Sequence, residues 1–169
     1  SWNVSKKRPW LYPVIIDNMM NLELLTQSHK LGGPDSLLNV AVTHANTTMK
    51  NHFRPDYTTW HVVDYDPETG DVRMKQTAQG YSDDSAWGRG QAWAVYGYTM
   101  MYREVGDEAY LAQAENIARM IMKHLPEDGV PYWDFNAPDI PDSYRDASAG
   151  AIIASAFIEL ASHTKDAAL

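Results

Sequence analysis

The chain has 169 residues, with apolar (44%) and charged (21%) content close to those of an ordinary globular domain. Its net charge of −8 argues against general affinity for nucleic acid or for anionic membranes. It contains no cysteine, so disulfides, thiolate nucleophiles and cysteine-ligated zinc are excluded.

No apolar run approaches the roughly 20 residues of a spanning helix. The expectation is a soluble protein of cytoplasm or periplasm. Ser1-Trp2-Asn3-Val4 supplies neither an initiator Met nor the apolar core of a signal peptide, and the chain reads as an excerpt of a longer one.

From about Val14 the pattern predicts a helix running to Leu31, apolar nearly all the way round and stopped by Gly32-Gly33. Asp17 falls in its first turns, between Ile16 and, at helical spacing, Met20, Asn21 and Leu24. A carboxylate in that company must be paired, hydrogen-bonded or protonated. It could simply cap the helix or meet a buried arginine, or it could be functional. A second helix opens at Pro34, with Leu37, Leu38, Ala41, Val42 and Ala45 on one face. His44 and His52 lie off that face, and they read, like His124 further on, as solvated.

Two extended runs, 59–65 and 71–75, flank the turn-rich 66–70 and predict a β-hairpin. Asp64, Asp66 and Glu68 alternate as in a calcium loop. Gly70 comes one place too late for the sharp turn, however, and Lys75 stands where the closing Glu belongs. A loop then leads to another apolar helix, with Ser82 or Asp83 as its expected cap and Trp87, Arg89 and Trp93 in its opening turns. Arg89 and Trp93, four apart, share a face, and an Arg beside an indole suits an anionic sugar. An amphipathic helix follows over about 108–125, then an aromatic loop with Trp133, Asp134 and Arg145. Asp146 or Ser148 opens a last helix of small and apolar residues.

Buried-type helices thus begin near 14, 84 and 147, about 65 residues apart, and the first two are each followed by an amphipathic helix. This is a repeat of αα-hairpins, inner helix then outer helix, and its long loops collect the chemistry at one end. The fold class predicted is all-α: a portion of an (α/α)6 barrel with a small β-hairpin between helical hairpins. No zincin, nucleophile-elbow or phosphate-loop motif occurs, which leaves carboxylate acid–base chemistry as the best enzymatic option.

Four runs then carry a resemblance: YPVIIDNMMNL from Tyr12, HVVDY from His61, QGYSDDSAWGRGQAW from Gln79 and PYWDF from Pro131. In order and spacing they resemble the unsaturated glucuronyl hydrolases of glycoside hydrolase family 88. The resemblance implies a barrel about twice this length, of which residues 1–169 would be a single catalytic-domain fragment. It implies a bacterial enzyme that removes a 4,5-unsaturated uronic acid from lyase-generated glycosaminoglycan oligosaccharides, with no metal or organic cofactor. Asp17 would match the catalytic acid/base. Gln79 and His61 would match polar residues around the scissile end. Arg89, Trp93, Trp2 and Trp87 would line the sugar subsite, and a second carboxylate would lie upstream of Ser1. An unsaturated rhamnogalacturonyl hydrolase and a non-catalytic saccharide-binding helical domain remain as alternatives.

Overall fold

The computed structural model describes residues 8–169. Three strands, β1 (Tyr12–Ile15), β2 (Val62–Tyr65) and β3 (Val72–Gln76), form an antiparallel sheet in the order β1-β2-β3. Five helices accompany it: α1 (Asn18–Lys30), α2 (Asp35–Asn51), α3 (Gly88–Val105), α4 (Glu108–His124) and α5 (Ala147–His163).

The expected hairpin is present, but it has a third strand. Val14 and Ile15, read from sequence as the start of the first helix, belong instead to this strand, which pairs with β2 from Tyr12 opposite Tyr65 to Ile15 opposite Val62. Val14 and Ile15 suit a pleated surface, and Pro13, which cannot donate to a ladder, is tolerated because β1 is an edge. Helix α1 therefore starts only at Asn18, with Asp17 as its N-cap residue. Buried Asp64 serves the sheet: it accepts from the Leu11 and Tyr12 amides and pairs with Arg73. Asp66 accepts from the Glu68 and Thr69 amides across the β2–β3 turn. The acidic alternation thus organises backbone.

Helix α3 is the axis of the packing. It lies against α1, α4 and α5, while α2 covers α1. Inner α1, α3 and α5 alternate with outer α2 and α4, as the repeat predicts. Burial is less even than their shared apolar character suggests. In α3 eleven residues are buried, whereas α1 buries only Met19, Leu22 and Thr26, and Leu24 and Ile158 are 73% and 77% exposed. The cause is position, because α3 has an inner helix on either side.

Two contacts fix the layers. Gly97 lets α3 approach α1 so closely that a Cβ built there would overlap Met19 Cβ. The buried Tyr98 donates its hydroxyl to Ala45 O at 2.9 Å and packs its ring on Phe53 and Tyr110, binding α2, α3 and α4 together. His52, expected to be solvated, is fully buried. It caps α2 where the chain folds back, and its backbone carbonyl accepts from the Trp60 amide at 2.9 Å. Burial holds its imidazole neutral, with a pKa lowered to about 3. Half-buried His44 is shifted the same way by burial, while His124 is exposed as expected.

Candidate active site

Asp17 is placed by the end of β1. The Ile16 amide donates to His61 O at 3.0 Å, so the residue after Ile16 emerges beside the residue that leads into β2. An N-cap carboxylate normally accepts from the first free amides of its helix. Asp17 makes no such side-chain bond. Its Oδ2 is enclosed without a hydrogen-bond partner and stands 3.7 Å from His61 Nε2. Burial raises the Asp17 pKa. Its own backbone amide and the Arg89 guanidinium pull the other way but do not prevail.

His61 is buried and held on both sides. Its Nδ1 faces the amides of Ala78 and Gln79 at 3.2 and 3.3 Å, and both can only donate. Nδ1 is therefore the acceptor, and the neutral ring carries its proton on Nε2, towards Asp17. The ring stacks on Trp87 with centroids 4.3 Å apart. Gln79 contributes its amide to this arrangement, and the residue itself is exposed.

The loop presenting those amides is pinned by two carboxylates. Asp83 accepts from the Thr77 amide at 2.9 Å and from the Gln76 side chain at 3.1 Å. It does not cap α3 as expected from sequence, because Trp87 is the N-cap residue and no side chain caps that end. Asp134, fully buried, accepts from the Tyr81 amide, the Ser85 hydroxyl and the Asn136 amide at 2.6–2.9 Å. Buried Gln91 accepts from the Thr59 amide at 2.9 Å and tethers the segment entering His61 to α3. Sequence patterns place Asp134 among the candidates for chemistry, but its oxygens are occupied by the scaffold. Gln91 carried no signal beyond its place in a recognised run.

At the start of α3 the Gly88 amide donates to Trp133 O at 2.9 Å, and a Cβ at Gly88 would come within 2.5 Å of Tyr132 O. That approach turns Trp87 out of helical geometry (ψ 120°), so helical spacing does not govern what it meets. The ring beneath the Arg89 guanidinium is accordingly Trp87, at 5.1 Å. Trp93, expected on the Arg89 face, packs edge-on against Tyr96 and lines a hollow of about 460 Å³ with Met20, Asn21, Glu23, Leu24 and Gln27. The structure thus gathers Asp17, His61, the Gln79 amide, Trp87 and Arg89, with Trp93 further along the inner helices. Trp2 lies outside the described residues. A larger hollow of about 860 Å³, between α2 and the sheet, contains none of these residues.

The arrangement can hold a proton on an enclosed carboxyl, answer the charge left behind with an imidazole N–H, and offer an anion a guanidinium. Among the described residues no cluster of His, Asp or Glu could hold a metal ion, and no helix is long and apolar enough to cross a membrane.

The profile of Glycosyl Hydrolase Family 88 matches residues 2–162. An unsaturated glucuronyl hydrolase of Formosa agariphila is 55% identical over 168 residues, 98% of this chain and 42% of that one. One from Bacillus sp. strain GL1 is 41% identical, over 88% of this chain and 40% of its own. Among solved structures, an unsaturated glucuronyl hydrolase specific for heparin superposes with a TM-score of 0.91 at 49% identity, over 93% of this chain and 43% of that one. A UGL variant solved with dGlcA-Glc-Rha-Glc superposes at 0.87 with 39% identity, over 92% and 41%. The chain spans about two fifths of the length of the curated relatives it matches. Its alternating helices are a portion of their α/α barrel. The chain belongs to glycoside hydrolase family 88.

Proposed function

We propose that this chain is one portion of the catalytic domain of an unsaturated glucuronyl hydrolase. Its substrate would be the 4,5-unsaturated uronic acid left by lyases at the non-reducing end of glycosaminoglycan-type oligosaccharides. The observation that carries the reading is the Asp17 carboxyl: enclosed, unpartnered at Oδ2, raised in pKa by burial and 3.7 Å from the His61 Nε2. A carboxyl that only capped α1 or paired with an arginine would have its oxygens engaged.

The reaction suits a group of that kind. Asp17 gives its proton to C4 of the enol ether, and positive charge develops at C5, shared with the ring oxygen. Water adds at C5 and returns a proton to the Asp17 carboxylate, so the acid is regenerated. The C5 hemiketal then opens, and the remaining saccharide departs from C1. Between the two proton transfers Asp17 is charged in a buried place. The Nε2–H of His61, aimed by the amides of Ala78 and Gln79, faces that charge. Arg89, over the Trp87 ring, pairs with the uronate carboxylate beside C5, and Trp93 offers a further indole to the saccharide.

The similar proteins support a uronate-ended oligosaccharide as the partner: one is specific for heparin and another is solved with dGlcA-Glc-Rha-Glc. The test is Asp17→Asn in the protein carrying the whole barrel, following loss of the ultraviolet absorbance of the enol ether. Removal of the general acid should lower kcat by about 10²–10⁴-fold or more. Turnover within about threefold of the parent would overturn the assignment of the acid.

A further inference from the structure

Asp146 is the N-cap residue of α5, and its Oδ1 accepts from the Ala149 amide at 2.9 Å. A cap needs one oxygen. The other, Oδ2, stands 3.4 Å from Nη2 of Arg89, and the Asp146 side chain is only 10% exposed. The backbone beneath the pair is clamped on both sides by one segment. The Asp146 amide donates to Pro131 O and the Gly88 amide to Trp133 O, each at 2.9 Å, so the starts of α5 and α3 hang from the same three residues. Arg89 is thereby held from beneath by the Trp87 ring and from one side by Asp146, while its Nε is enclosed without a hydrogen-bond partner. A guanidinium has five donors in a planar fork, so one carboxylate oxygen at Nη2 leaves others available to a second anion.

We propose that Asp146 is a positioning residue for substrate binding: while capping α5 it holds the Arg89 guanidinium in the plane that receives the uronate carboxylate. This rests on the reading of Arg89 given above. It goes beyond that reading by making the geometry of the anion site depend on α5, an inner helix that supplies no group to the reaction itself.

The two duties of Asp146 separate by substitution. Asn caps helices as well as Asp does but carries no charge, whereas Glu keeps the charge and caps poorly. In the protein carrying the whole barrel, Asp146→Asn should raise KM for an unsaturated uronic-acid disaccharide by roughly fivefold, the range of a partly exposed ion pair. It should change kcat less than KM and leave Tm near the parent value. Asp146→Glu should show the reverse, a lower Tm with KM close to the parent. Arg89→Lys, measured in parallel, should raise KM, and adding Asp146→Asn to it should raise KM little further. If Asp146→Asn keeps the parent KM while Arg89→Lys raises it, Asp146 is a cap only; the proposal is then overturned and the proposed function stands. If neither change moves KM, the role of Arg89 fails and takes this proposal with it.

Discussion

Replacing Gly97 by Ala tests how closely the chemistry depends on the crossing of α1 and α3. A methyl at Gly97 would overlap Met19 Cβ and stand 3.2 and 3.3 Å from its Cε and Cγ. Cβ cannot rotate away, and ordinary carbon–carbon contact needs about 3.5–4.0 Å, so the helices must separate by about 1 Å or more. Met19 is fully buried. Overpacking of this kind costs about 1–3 kcal/mol, and the helix propensity gained by losing a glycine returns about 0.8–1.0. The net result is a loss of up to about 2 kcal/mol, or a fall of several degrees in Tm. Activity should suffer more than stability. Met19 lies two residues beyond Asp17, so the displacement moves Asp17 away from His61 and Arg89, which other elements hold. A misplacement of about 1 Å at a reacting group can cost about 10²-fold in rate. Thermal melts and enol-ether turnover of the same preparation would measure both. A variant more stable than its parent with undiminished turnover would show that the α1–α3 crossing does not set the position of Asp17.

Further expectations concern buried charge and scaffold. Because burial raises the Asp17 pKa above its ordinary 3.8, the native state binds this proton more tightly than the unfolded chain. Its contribution is therefore fully present below that value and is lost as pH rises through the native pKa. Asp17→Asn should raise Tm relative to the parent at neutral pH, and the advantage should vanish on acidification; an equal difference at all pH values would contradict the burial of Asp17. His52 is the opposite case. With a native pKa of about 3 against an ordinary 6.5, only the unfolded chain takes up the proton in between, and stability falls as pH drops from 6.5 towards 3. His52→Gln should flatten that limb of the Tm–pH profile. Asp134→Ala strands the donors of Tyr81, Ser85 and Asn136 and should cost about 3 kcal/mol or more in denaturant unfolding. A cost below about 1 kcal/mol would mean that the loop bearing Gln79 is held by something else.

The hairpin repeat was legible because it is written in periodicity. The apolar character of α1, α3 and α5 and the one-sided pattern of α2 and α4 are local facts, and the layering follows from them. β1 was not legible, because Pro13-Val14-Ile15-Ile16 is a short apolar run that suits a helix start or a strand equally well. What decides it is the pairing with Val62–Tyr65, about fifty residues away. His52 was misread for a related reason. Its spacing puts it off the apolar face of α2, but it falls at the last turn, where the chain doubles back and the Trp60 segment closes over it.

The site shows where residue type stops informing and geometry begins. A buried Asp, a His, and an Arg near indoles could be named from the sequence, and each had an innocent structural reading. Asp134 and Asp83 fulfil that reading, since their oxygens are taken up by amides and a hydroxyl of the scaffold. Asp17 does not, although it stands at the head of a helix: the Met19 and Met20 amides that a capping carboxylate would take donate instead to Ile16 O and Asp17 O. The reason lies in β1. The strand register fixes Ile16 to His61, and the turn that follows delivers Asp17 towards the imidazole instead of over the first turn of α1. The strand that the sequence hid is thus what separates Asp17 from an ordinary helix cap. A change at Ile16 or Val14 that slipped the β1 register should return Asp17 to capping α1 and remove its raised pKa together with the turnover proposed for it.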